Sequence, residues 1–206
     1  MKVKLLNSLE KATNIIFTAC RTCYSSKSPL ELIEQEPDIE LIKKIARSGH
    51  LSTLEHVVCT FAIEGVSRSL LAQLTRHRMA SYSVQSQRYC KFINPYILPE
   101  SMDNNEIREF LNSGLRLYDK LVNNGVAKED ARAILPNAAS TNLVMTCNLR
   151  ELIHICNLRL CKRAQAEIRE LVGLMRDEVV KELPFMKEFL VPKCRVCTEK
   201  DKCEVM

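Results

Sequence analysis

Tryptophan is absent from this chain, only five glycines occur among its 206 residues, and aromatic residues make up 5% of it. The glycine shortage matters most. Neither a Gly-x-Gly-x-x-Gly nor a Gly-Lys-Ser/Thr stretch is present, which excludes a Rossmann or P-loop nucleotide site. Charge of one sign is not in large excess either: 30 Lys and Arg stand against 25 Asp and Glu, and acidic residues interleave the basic ones. Without a basic stripe interleaved with aromatics, a nucleic-acid polymer is not the expected partner. No apolar run approaches about eighteen residues, so no membrane span is expected. Met1 to Asn7 lacks the apolar region of a signal peptide, and a cytoplasmic protein is expected.

Cysteine, by contrast, is plentiful, with ten residues. Cys59 falls in a strand-like run, and Cys147, Cys156 and Cys161 fall in helix-like ones, where thiols act as small hydrophobes. Without a secretory signal a disulfide framework is not expected. Cys20-Arg21-Thr22-Cys23 reads as a helix end, with no strand before it to suggest a thioredoxin-like motif. Cys194-Arg195-Val196-Cys197 and Cys203 lie in a polar tail, residues 192–206. Three thiolates could bind zinc if a fourth ligand came from elsewhere. The spacing is incomplete, and no metal is expected in the functional site.

Apolar periodicity predicts helices over Ser8–Cys20, Asp38–Ser48, from Ser67 as N-cap through His77, over Asn104–Asn123 and Lys128–Leu135, and in one long run from Asn148 to Leu183. Ser25–Pro37 reads as a connection. Strands are predicted over Val57–Glu64, with Cys59, Phe61 and Ile63 on one face, and over Thr141–Thr146. Helices with few, separated strands predict an α+β fold: long helices packed around a small, mainly antiparallel sheet. The length suits a single domain spanning 1–206.

The most informative stretch runs from Arg76-His77-Arg78 to Ser86-Gln87-Arg88-Tyr89. It holds three arginines, a histidine and three serines in fourteen residues. Arginine offers a rigid fork of donors that matches phosphate oxygens, so a phosphorylated ligand is expected here. A second signal lies on the last long helix. At about 100° per residue, Arg159 shares a side with Leu152, Ile155 and Cys156. A guanidinium on such a side needs acceptors. Arg150 and His154 lie one turn apart on the opposite side. Arg132 sits among small and apolar residues in Ala131-Arg132-Ala133-Ile134-Leu135-Pro136.

These motifs, in this order, resemble those of the flavin-dependent thymidylate synthases. Arg-His-Arg followed by Ser-x-Arg-Tyr resembles the family's signature motif, with Gln73 three residues before it. His50-Leu51-Ser52-Thr53-Leu54-Glu55-His56 resembles the segment upstream of it. Ala131 to Pro136, Asn148-Leu149-Arg150-Glu151-Leu152, Asn157-Leu158-Arg159 and Ala164 to Arg169 are similar to the segments downstream. The resemblance covers most of the chain but not its last dozen residues. It implies conversion of dUMP to dTMP with methylenetetrahydrofolate as one-carbon donor and NADPH as reductant through FAD. It also implies a homotetramer with shared active sites, and no cysteine nucleophile.

Position by position, the resemblance assigns Ser52, Arg76, His77, Arg78, Val84, Asn148, Leu149, Arg150 and His154 to FAD. It assigns Gln73, Leu74, Thr75, Arg76, Val84, Gln85, Ser86, Gln87, Arg88, Arg132 and Arg159 to dUMP. Arg159 is the expected catalytic residue, stabilising charge on the pyrimidine. His50 is placed near the flavin edge or the folate. Val84 stands where relatives often carry Glu or Gln, Ala166 replaces a common Trp, and His154 replaces an Asn found in some relatives. The competing expectation is a small basic nucleic-acid-binding module with a C-terminal zinc-binding cysteine cluster.

Overall fold

In the computed structural model, residues 1–92, 96–194, 197 and 203 are described. The expected tail, 192–206, therefore lies largely outside the described residues. Among the described residues, eight α-helices and four strands form an α+β architecture: α1 Ala12–Thr22, α2 Pro29–Leu32, α3 Ile39–Arg47, α4 Arg68–Leu74, α5 Asn105–Asn123, α6 Lys128–Ala131, α7 Leu149–Arg159 and α8 Ala166–Glu182, with β1 Lys2–Leu5, β2 Val58–Ser67, β3 Ala80–Val84 and β4 Ser140–Asn148. The sheet order is β1-β2-β4-β3. Pairing of Thr60 with Thr146 and of Gly65 with Asn142 shows β2 and β4 to be antiparallel. No helix among the described residues is long and apolar enough to cross a membrane.

The chain divides into two compact units. One comprises Met1–Lys2, Ile63–Arg76 and Tyr82–Val144; the other comprises Val3–Ala62, His77–Ser81 and Met145–Met206. The larger unit is built on alternation in β2 and the apolar faces of α7 and α8. Cys59 and Phe61 are fully buried there with Leu152, Ile155, Leu171 and Met175. The smaller unit packs Phe92, Tyr118, Ala131 and Ala139 into its own cluster. The Tyr118 hydroxyl accepts the Phe92 N–H at 3.3 Å.

Caps set most boundaries as the sequence predicts. Asp38, Ser67, Asn104 and Asn148 each accept a backbone N–H from the first turn of the helix that follows. Cys23 caps α1, so Cys20 and Cys23 do lie at a helix end. Gly49 follows α3 with φ +89, a conformation that side-chain-bearing residues avoid.

Four expectations need correction. The run from Asn148 to Leu183 is two helices, α7 and α8, with a break over 160–165. The helix from Ser67 ends at Leu74, so Arg76 and His77 lie beyond it. Cys147 lies in β4, and Cys161 beyond the end of α7. The strands β1 and β3 and the short α2 were not expected: β1 has four residues, and β3 lies within the basic stretch.

Candidate active site

The residues assigned to FAD and to dUMP fall mainly into different units. In the larger unit, His77 is 4% exposed, and Arg78 beside it is exposed. Arg159, at the end of α7, donates its Nε–H to His77 Nε2 at 3.0 Å. An accepting Nε2 places the proton of neutral His77 on Nδ1. That atom lies 3.5 Å from a Glu151 carboxylate oxygen, and the His154 ring packs edge-on at 5.8 Å. Burial raises the Glu151 carboxyl above its usual range, with His154 opposing. Asn148 accepts the Glu151 N–H at 2.8 Å, but the Glu151 carboxylate approaches His77. His77, Glu151 and His154 also form a group of possible metal ligands, with ligand atoms within 4.8 Å of one another.

Beside this cluster lies a cavity of about 330 Å³, lined by Glu55, Met79, Asn148, Arg150, Glu151 and His154.

 At about 330 Å³, this cavity has room for one ring system and its polar edge. Asn148, Arg150 and His154 offer donors suited to carbonyl or phosphate oxygens, and Met79 offers an apolar wall. These residues therefore fit part of a flavin nucleotide. Arg150 is ion-paired with Glu55, and that pair must open for Arg150 to meet an anion. Leu149 is fully buried, and its N–H donates to the Val57 carbonyl at 2.9 Å, so its side chain serves the core. Ser52 lines another cavity, of about 400 Å³, with Cys20, Tyr24, Lys44 and His50.

In the smaller unit, Arg88 pairs with Glu129 at 2.6 Å, and its N–H donates to the Ser86 hydroxyl at 3.1 Å. Arg132 donates its Nε–H to the Glu129 carbonyl at 3.1 Å and is exposed rather than enclosed by apolar residues. Glu129 thus links the two arginines assigned to dUMP. Gln85, Ser86 and Gln87 line a crevice with Arg68, Ser140 and Thr141. Leu74 is buried and offers its carbonyl to the Tyr82 hydroxyl at 2.9 Å. The Thr75 hydroxyl donates to the Leu71 carbonyl at 3.0 Å. Gln73 and Val84 are partly buried, whereas Arg76 is exposed.

Arg68 was not expected here. One of its terminal nitrogens donates to the Gln85 carbonyl at 3.0 Å. Its Nε, with Ser140 Oγ and Thr141 Oγ1, is buried without a hydrogen-bond partner. Burial, and then the nearby Arg132, lowers its pKa. A signal was available: a cation in the first turn of a helix opposes the helix dipole, and Arg68 opens α4. Unpaired buried donors beside a second arginine suit an anion.

The family model described as "Thymidylate synthase complementing protein" matches residues 4–185. A flavin-dependent thymidylate synthase of Thermococcus onnurineus is 42% identical over 195 residues, covering 88% of this chain and 79% of the relative. One from Geobacter sulfurreducens is 44% identical over 182 residues, covering 83% and 78%. Among solved structures, thymidylate synthase X from Helicobacter pylori, with FAD and dUMP, is similar at TM-score 0.75 and 26% identity, covering 93% of this chain and 99% of that one. A UMP/dUMP methylase from Streptomyces cacaoi shares the fold at TM-score 0.77 and 21% identity, covering 92% and 96%. The chain belongs to the flavin-dependent thymidylate synthase family.

Proposed function

We propose that this chain converts dUMP to dTMP, with FAD as cofactor, methylenetetrahydrofolate as one-carbon donor and NADPH as reductant. The observation that carries this reading is the Arg159–His77–Glu151 arrangement. It holds a guanidinium by its Nε–H and leaves the arginine side chain partly exposed. A fixed cation suits a pyrimidine on which negative charge develops. The similarity to a synthase structure with FAD and dUMP supports both ligands.

Bound reduced FAD would supply the hydride. Asn148, Arg150 and His154 would hold it, with Ser52, Arg76, Arg78, Val84 and Leu149 as further assigned positions; His77, assigned with them from the motif, would instead position Arg159. Ser86, Arg88 and Arg132 would take the phosphate of dUMP, Arg68 would support that site, and Arg159 would face the pyrimidine. Gln73, Leu74, Thr75, Arg76, Val84, Gln85 and Gln87 complete the assigned dUMP positions. We read the chain as one synthase-like domain that acts in the cytoplasm as a homotetramer. The test is direct: purify the protein, record its flavin spectrum, and assay dTMP formation from dUMP with both co-substrates. A protein that binds no FAD and forms no dTMP would overturn the reading.

A further inference from the structure

Four of the cysteines outside the buried core follow the end of α7 or lie in the C-terminal tail. Cys194 is exposed, and Cys161, Cys197 and Cys203 are partly exposed; none of the four is in a disulfide. Cys59, Cys147 and Cys156 are, in contrast, buried. The fold brings the tail to the turn that carries Cys161. Lys193 donates its N–H to the Asn157 carbonyl at 3.1 Å. That carbonyl is the acceptor the Cys161 N–H would use if α7 continued. The turn is fixed by the Ala164 N–H on the Cys161 carbonyl at 2.9 Å and by Arg169 on the Lys162 carbonyl at 2.8 Å. Cys161 and Cys194 thus flank a backbone bond that joins the tail to the helix end. Cys203 lies within electrostatic range of Cys161, Cys197, Cys194 and Arg163.

We propose that Cys161, Cys194, Cys197 and Cys203 form a structural zinc site that joins the C-terminal tail to the end of α7. The sequence supplies a Cys-x-x-Cys pair and a third cysteine; the fold supplies Cys161 as the fourth ligand. Zinc takes four thiolates in a tetrahedron at about 2.3 Å. Each thiol gives up its proton on binding. Four thiolates leave the site with excess negative charge, which Lys162, Arg163 and Lys193 offset. Among the described residues these sulfurs are not grouped within 4.8 Å of one another, as the ligand atoms of His77, Glu151 and His154 are. An ion must draw the sulfurs together. Zinc rather than an iron–sulfur centre follows from the proposed reaction, whose electrons pass through NADPH and FAD; that choice rests on the reading above, but the ligand set does not.

The full chain, purified without chelator and dialysed, should retain one zinc per chain. X-ray absorption at the zinc edge should show four sulfur neighbours. Titration with a mercurial should release the zinc in step with four thiols. Cys161→Ser should lower zinc retention against a competing chelator about tenfold or more, whereas Cys23→Ser should not. Absence of zinc, iron with labile sulfide in its place, or zinc bound through nitrogen and oxygen (the His77, Glu151 and His154 group) would overturn the proposal. So would Cys161→Ser retaining zinc with four sulfurs. If Cys161→Ser does not fold, absorption and titration on the parent decide. Flavin content of the same sample, read by absorbance, tests the synthase reading separately.

Discussion

Arg159 donates its Nε–H to the Nε2 of His77 at 3.0 Å, and His77 is 4% exposed. The residue assigned to flavin from its motif is thus largely enclosed and holds the arginine expected to act on the pyrimidine. Arg159→Ala should slow flavin oxidation by bound dUMP about a hundredfold, even at saturating dUMP. His77→Phe removes one neutral acceptor, worth about 1 kcal/mol, which corresponds to a roughly fivefold slowing. Its FAD affinity should change little. If FAD affinity falls and the rate at saturating FAD does not, His77 is a flavin contact rather than a positioning residue.

Glu151 gives this arrangement a pH dependence. Burial raises its carboxyl above the ordinary range. Protonation removes the negative charge facing His77 Nδ1, so the rate should fall on the acid side from a pH above the usual carboxylate range, and Glu151→Gln should lack that limb. Stability has the opposite sign. Below the unfolded pKa both states are protonated and the group has no effect. The cost of ionising it in the folded chain builds as pH rises through the folded pKa. Relative to the parent, Glu151→Gln should therefore be more stable near neutral pH than in acid, as read by thermal unfolding at two pH values.

Glu129 competes for Arg88 through a pair whose side chains are 53% and 47% exposed. Such pairs contribute about 0–1 kcal/mol. Glu129→Gln should fold normally and bind dUMP slightly more tightly. Arg88→Ala should weaken dUMP binding by roughly 1.5–3 kcal/mol, the scale of a lost charged hydrogen bond, with little change in rate at saturation. Calorimetry on both variants checks the pair; tighter binding by Arg88→Ala would refute the phosphate assignment.

Arg68 is half-buried and near a like charge, so its replacement should separate folding from binding. Arg68→Met keeps the apolar stem and removes the buried cation. Thermal stability should hold or rise, whereas dUMP affinity should fall. Equal loss of both would make Arg68 a structural residue alone.

The core thiols should be inert. Burial pushes Cys59 and Cys156 up to about 12, and burial raises Cys147 further. Thiolates are the reactive form, so iodoacetamide near pH 8 should leave these three unlabelled in the folded protein, as read by peptide mass spectrometry. The folded chain keeps these protons while the unfolded chain loses them above pH 9.0, the ordinary value. Stability should therefore decline as pH rises from there toward about 12.

Sequence alone determined the elements whose signals are local. The alternation of Cys59, Phe61 and Ile63 marks β2, and Asp38, Ser67, Asn104 and Asn148 mark helix starts, because a cap needs only its own first turn. The ordered arginine motifs carried the family. The tertiary structure decided what depends on distant partners. Nothing in Leu160 to Gln165 breaks a helix by composition; α7 ends where Lys193 takes the Asn157 carbonyl and Arg169 takes those of Lys162 and Ala164. β3 has few residues and a strongly basic setting, and it is a strand because it lies beside β4. Arg68 looks like an ordinary surface residue until Ser140 and Thr141 line the same crevice. His77 and Arg159 stand 82 positions apart, and no periodicity reaches across that distance: their hydrogen bond exists because the packing of α7 sets the end of that helix beside the turn after α4.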